Sequence, residues 1–128
     1  MANKSGIAKV HGAAPTQILA NVELQSSVGC IIPKSMGTDG KVLAGTPLNI
    51  DLENLQTAAK APVADGSNAV PMNAVLLHDV DVTDGNANGT ALIFGFVNLN
   101  RVDSAVATKI ATAKSIEGVT PLLTFMKA

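Results

Sequence analysis

The chain has 128 residues, nine Lys or Arg against ten Asp or Glu, and a formal net charge of −1. That length suits one domain, and scattered cations without a basic run argue against a nucleic-acid partner, whose phosphates require clustered Lys and Arg. No window approaches the ~18 uninterrupted apolar residues of a membrane span, and the opening MANKSGIAKVHGAAPTQ lacks the apolar core of a signal peptide.

Residues 1–16 mix small, polar, Gly and Pro residues without periodicity and read as an extended arm that orders only against a partner. Residues 17–24 and 28–33 are two short β-type runs. The turn cluster of residues 35–40 follows, and then a third run at residues 41–43. Two runs around a Gly- and Asp-containing loop predict a hairpin, with Gly37 and Gly40 supplying positive φ. Residues 51–60 place Leu52, Leu55 and Ala59 at helical spacing, which predicts either one or two helical turns or an irregular excursion.

Two apolar runs, residues 74–77 and 91–97, flank a segment crowded with Asp, Asn, Gly and Thr, and predict strand, structured turn, strand. Residues 101–117 form the strongest helical pattern: Val102, Val106, Ile110, Ala113 and Ile116 fall on one face. Asn100 or Asp103 would cap its start and Gly118 would end it. The apolar tail of residues 119–126 reads as a final strand or a contact segment.

Composition adds a constraint on the surface. Charged residues make up 15% and hydrophobic residues 47% of the chain, and the mean hydropathy is +0.31. An ordinary soluble surface carries roughly 25–35% charged residues. Some apolar surface is therefore expected to be covered by sister copies or a larger assembly. Trp and Tyr are absent, and Phe94, Phe96 and Phe125 are the only aromatics, so the core must be aliphatic.

Candidate chemistry is sparse. His78, Asp79 and Asp81 form the one place where His and carboxylates gather. In a strand, Asp79 and Asp81 would face away from His78, which defeats an acid–base dyad and favours a hydrogen-bonding role at a turn. Asp84, Asn86, Asn88 and Gly89 imitate the opening of a calcium loop. Its twelfth position, however, is Gly95 rather than a bidentate acid, so a tight turn whose side chains bond their own backbone is expected. Cys30 is unpaired, lies in no zinc-ligand spacing and reads as a small buried hydrophobe. His11 is isolated, and no nucleophile elbow or phosphate loop is present. No cofactor, no metal and no enzyme activity are expected.

The string VLLHDVDVT, the Asn/Gly turn and GFVNLNRV, within residues 74–102, resemble a block found in the head decoration and head-fibre proteins of tailed phages. A weaker echo, VLAGTPL, lies within residues 41–48. The motif is structural, carried here by Leu77, His78, Asp79, Asp81, Asn86, Gly89, Gly95 and Asn98. The resemblance implies a mainly β chain with one or two short helices (α+β), folded as a compact β-barrel-like or β-sandwich knob. It divides the chain into an N-terminal arm, residues 1–16, and one β-rich decoration domain, residues 17–128, with a helix near residues 101–117.

By the same resemblance, the protein would be made in the host cytoplasm and sit on the outside of the virion, usually as a homotrimer. There it would bridge major capsid subunits and stabilise the expanded head. The arm would make the capsid contact through Ala2, Asn3, Lys4, Ile7, Lys9, Val10 and His11. An alternative is the base of a head fibre that binds a host glycan or another virion protein. The scarcity of aromatics and the end of the chain at Ala128 without a shaft weigh against that role. A third reading, a small hydrolase or metal protein around His78, Asp79 and Asp81, has the least support.

Overall fold

The structure is a computed structural model that describes residues 18–116 and 122–127, with the backbone alone for residues 19–24. It contains seven strands and one α-helix among the described residues: β1 (Leu19–Ile32), β2 (Lys41–Val42), β3 (Pro47–Leu48), β4 (Ala74–Leu76), β5 (Val80–Asp81), β6 (Ala87–Asn98), α1 (Ser104–Lys114) and β7 (Leu122–Met126). This is the mainly β, α+β class the sequence predicts. The expected barrel does not close: β1, β6, β4 and β3 lie in that order in an open sheet.

β6 organises the sheet. Its apolar half, ALIFGFV, has the bulk a central strand requires, and Ala91, Leu92, Gly95 and Val97 are buried while Phe94 is not. β1 runs antiparallel along one edge, from Ile32 opposite Ala87 to Leu19 opposite Val97. The other edge is divided. β4 pairs antiparallel through Val75 with Leu92 and Leu76 with Ala91, and β7 pairs parallel from Phe94 with Leu122 to Asn98 with Met126. A parallel partner needs a long crossover, and α1 is that crossover. The helix following β6 is therefore a topological requirement as much as a product of its own periodicity.

Side chains alternate between two cores. Ala74 and Leu76 join Ile32, Leu48 and Val80 on one face of the sheet; Val75 and Leu77 join Leu92, Val97 and Ala113 on the other. Val106, Ile110 and Ala113 are the buried stripe of α1. Of the two proposed caps, Asp103 acts: its side chain accepts the Ala105 N–H at 2.9 Å. At the far end of the helix, Lys114 lies 5.5 Å from the Phe125 ring centre, tying α1 to β7. The predicted stop at Gly118 lies outside the described residues.

Several expectations are corrected. The two early runs form one continuous strand, β1, irregular where five steps from Asn21 to Ser26 face two steps along β6. The hairpin expected between β1 and β2 across residues 35–40 is reduced to one antiparallel bridge, in which Thr38 and Lys41 exchange N–H···O bonds of 2.9 and 3.1 Å around Asp39 and Gly40. Lys34–Met36 coil into a 3-10 turn, β1 takes β6 as partner, and β2 pairs with β5. β6 offers β1 a ladder of a dozen residues where β2 offers two. Positive φ falls on Asp39 and Gly40, at 54° and 79°; Gly37 has φ −74°.

Residues 51–60 take the irregular option. Asp51 accepts the Glu53 N–H at 3.0 Å and Asn54 the Gln56 N–H at 3.1 Å. Short side chains of this kind compete with the helical backbone pattern. Leu52 is left 57% exposed, whereas Ala59 is buried.

The excursion between β3 and β4 is stitched down by asparagines. Asn73 receives the Ile50 N–H at 2.9 Å and donates to the Ile50 carbonyl at 2.8 Å, mimicking a strand partner for a core residue. Asn49 Nδ2 donates to the Pro71 carbonyl at 2.7 Å. Replacing Asn73 with Ala removes both bonds to Ile50 and is expected to cost about 1–3 kcal/mol in urea unfolding. The exposed control Leu52→Ser is expected to stay within about 0.5 kcal/mol.

Candidate functional site

Residues 74–102 are held by a set of side chain to backbone bonds. Asp79 Oδ1 accepts the Ala44 N–H at 2.7 Å, binding the turn after β4 to the turn before β3. Next to it, the Gly45 N–H donates to the Leu76 carbonyl at 2.7 Å. Gly45 is required there. Its φ is +93°, and a Cβ would stand 2.8 Å from Val102 Cγ1.

Asn86 Oδ1 accepts the Lys34 N–H at 3.0 Å, reaching across to the 3-10 turn instead of bonding its own backbone as expected. Gly89 lets β6 pass under three core side chains; a Cβ there would meet Ile32 at 2.9 Å and Leu76 at 3.1 Å. Asn98 is buried, accepts the Asn100 N–H at 3.0 Å, and donates its own N–H to the Ile18 carbonyl. Leu77 is core, and Gly95 is buried in β6 opposite Leu123.

The strict alternation expected for His78–Asp81 is broken. Leu77 and His78 form a bend, and strand resumes only at Val80. Asp79 bonds Ala44, whereas Asp81 accepts the Thr83 N–H at 2.9 Å, so the two carboxylates act separately. The Thr83 hydroxyl, the Thr83 N–H and then Lys41, opposite Asp81 in the small sheet, hold the Asp81 carboxyl below its ordinary range. His78 is exposed.

Cys30 is buried, and that burial pushes its thiol pKa up, which disfavours the reactive thiolate. Among the described residues, no three His, Cys, Asp or Glu side chains gather where a metal could sit. No helix among them is long and apolar enough to cross a membrane. The arm residues Ala2, Asn3, Lys4, Ile7, Lys9, Val10 and His11 lie outside the described residues.

A surface feature escapes the sequence reading. Ser26 faces Phe94 and Ser27 faces Leu92, so Ile93 is an extra residue in β6, a bulge. Beyond it the alternation changes phase, and Phe94 leaves the buried face that Leu92 occupies. β7 continues the new phase: Leu123 and Phe125 pack inward, while Leu122 and Met126 point out. Phe94 is 41%, Leu122 72% and Met126 37% exposed, and Phe94 and Leu122 are register neighbours. The result is an apolar face on an edge of the sheet. No strand pairs with the outer edge of β7 among the described residues. The only sequence signal for this face was the uncharged tail LLTFM.

The geometry defines a small α+β domain in which Asp79, Asp81, Asn86 and Asn98 bond backbone groups and in which Phe94, Leu122 and Met126 form an exposed apolar face beside the β7 edge. No family model matches the chain, and no curated protein matches it.

Two substitutions separate architecture from chemistry. Asp79→Ala leaves the Ala44 N–H without its acceptor and is expected to lower stability by about 1–2 kcal/mol in urea unfolding, whereas His78→Ala is expected to change it by less than about 0.5 kcal/mol.

Asp81 yields a pH signature. A carboxylate with a depressed folded pKa adds stability above its unfolded value of about 3.9, and that stability is lost as pH falls through the folded value. The gap in unfolding midpoint between the native chain and Asp81→Asn is therefore expected at pH 7 and narrows below about pH 4. A gap constant from pH 7 to pH 2 would refute that account of Asp81.

Proposed function

We propose that this chain is a structural virion protein that decorates the outside of a tailed-phage capsid, bridging major capsid subunits and stabilising the expanded head. The observation that carries the reading is the exposed apolar face formed by Phe94 of β6 and by Leu122 and Met126 of β7, the latter an edge strand whose outer side pairs with no other strand among the described residues. In a chain with 15% charged residues, such a face suits a protein completed by its neighbours. The resemblance of residues 74–102 to phage decoration proteins supports the same role. So does the motif's own use: Asp79, Asn86 and Asn98 bond backbone, and Gly89 makes room for the core.

Binding would draw on burial of apolar area, about 25 cal/mol per Å² removed from water, less the cost of ordering the bound segments. A homotrimer would hold three N-terminal arms together, and their avidity would exceed the affinity of any one arm. β7 offers the exposed edge through which copies could meet.

The test is co-sedimentation of the purified protein with capsid shells of its phage, before and after expansion. Saturable binding to expanded shells, with a gain in their heat resistance, is expected. Removing residues 2–16 is expected to abolish that binding while the unfolding midpoint of the protein is kept. No binding to either shell form would overturn the capsid role and favour the base of a host-binding fibre. Full binding by the truncated chain would overturn the role of the arm alone.

A further inference from the structure

A cavity of about 670 Å³ opens between α1, the 3-10 turn Lys34–Met36 and residues 59–62. Its walls are mainly apolar, with Pro33, Met36, Pro47, Pro62 and Ile116 among them. The size falls in the range of sites that enclose a ligand or a short peptide. A second cavity of about 330 Å³ shares Met36, Thr46 and Lys109 with the first and continues toward the start of α1, ending at Asp103. Together they make one groove beside the helix. The eleven residues of α1 span about 16 Å, which is the length of about five residues of extended chain.

Charge divides this groove. Lys60 and Lys109 border the larger cavity, and among the described residues no carboxylate lines it. Asp39 and Asp103 line the smaller one together with Lys41 and Lys109. Thr108 and Thr112, one turn apart on α1, line the larger cavity; the Thr108 hydroxyl donates to the Ser104 carbonyl at 3.2 Å and keeps lone pairs that an extended backbone N–H could reach. The complement is an apolar strand of peptide with a carboxylate at its Lys60 end. The N-terminal segment of this chain, residues 1–17, carries Lys4 and Lys9 and no carboxylate, so it lacks that complement.

We propose that the groove beside α1 docks an extended apolar segment of an acidic partner protein, its carboxylate held by Lys60 and Lys109. The inference is independent of the capsid reading, which rests on the opposite feature set of β6 and β7. The occupant lies about five residues deep in the groove, with apolar side chains against Met36, Pro62 and Ile116.

The test is selection of a displayed library of random heptapeptides on the full-length protein, with counter-selection on Thr112→Trp, whose indole would fill the groove. Binding of the selected peptides is then measured by fluorescence polarisation. Enriched peptides are expected to combine an apolar core with Asp or Glu. Their affinity is expected to fall at least tenfold on both Thr112→Trp and the surface double variant Lys60→Glu/Lys109→Glu, each folded by circular dichroism. No enrichment over the Trp variant would overturn the proposal. Enriched peptides that lack acid, or that bind the charge-reversed variant unchanged, would overturn it too. The assay contains no capsid shells, so its outcome and that of the co-sedimentation are read separately.

Discussion

β6 presents two edges of backbone donors and acceptors, and both are filled. β1 runs along one edge, and β4 and β7 divide the other. Everything else follows from that division. β4 ends beside Leu92 and Ala91, so the chain must leave the sheet there, and the turn it makes is the Asp- and Asn-rich motif. β7 is parallel to β6, so a crossover is required, and α1 supplies it. The Ile93 bulge lies between the two partners. It shifts the phase of the strand, so that one half of β6 is sealed into two cores and the other half shows Phe94 to solvent.

Asp79, Asp81, Asn86 and Asn98 of the polar motif all bond backbone groups. Asp79 and Asn86 each reach a backbone N–H that is far away in sequence, Ala44 and Lys34 respectively, and so tie separate loops to the ends of the short strands. The Asn86 bond is exposed and modest, whereas the Asp79 bond meets the N–H of buried Ala44, and a donor left unmet there is costlier than the bond is favourable. Gly45 and Gly89 complete the arrangement by letting the chain pass where any Cβ would collide with Val102, Ile32 or Leu76. Side chains engaged in this way hold the architecture. The surfaces that the architecture leaves open among the described residues include the β7 edge and the groove beside α1.

Much of this was legible from residues alone. The runs at residues 74–77 and 91–97 become β4 and the second half of β6 because their apolar bulk suits inner strands, although Phe94 in the second run stays exposed. The stripe Val106, Ile110, Ala113 becomes the inner side of α1, with Asp103 capping it. Local signals failed where distant partners decided. Nothing near residues 35–40 reveals that β1 will prefer β6 to β2, or that Lys34–Met36 will turn the chain aside. Leu52, Leu55 and Ala59 have helical spacing, but Asp51 and Asn54 bond the backbone two residues on and hold it in turns. The apolar face was hidden for a related reason. A bulge is a property of two strands in register, and Phe94 in sequence looks as buried as Leu92. The groove beside α1 draws its lining from segments far apart in the chain, so no single stretch announces it.

Native-state hydrogen exchange read amide by amide tests the central role of β6 most directly. Strands held on both sides open only with the whole molecule, whereas a strand paired on one edge opens locally. The amides of residues 89–92, between β1 and β4, should exchange only through global unfolding, while those of β7 exchange faster by local opening. If the amides of residues 89–92 exchanged as fast as those of β7, β6 would not be the strand on which this fold is built.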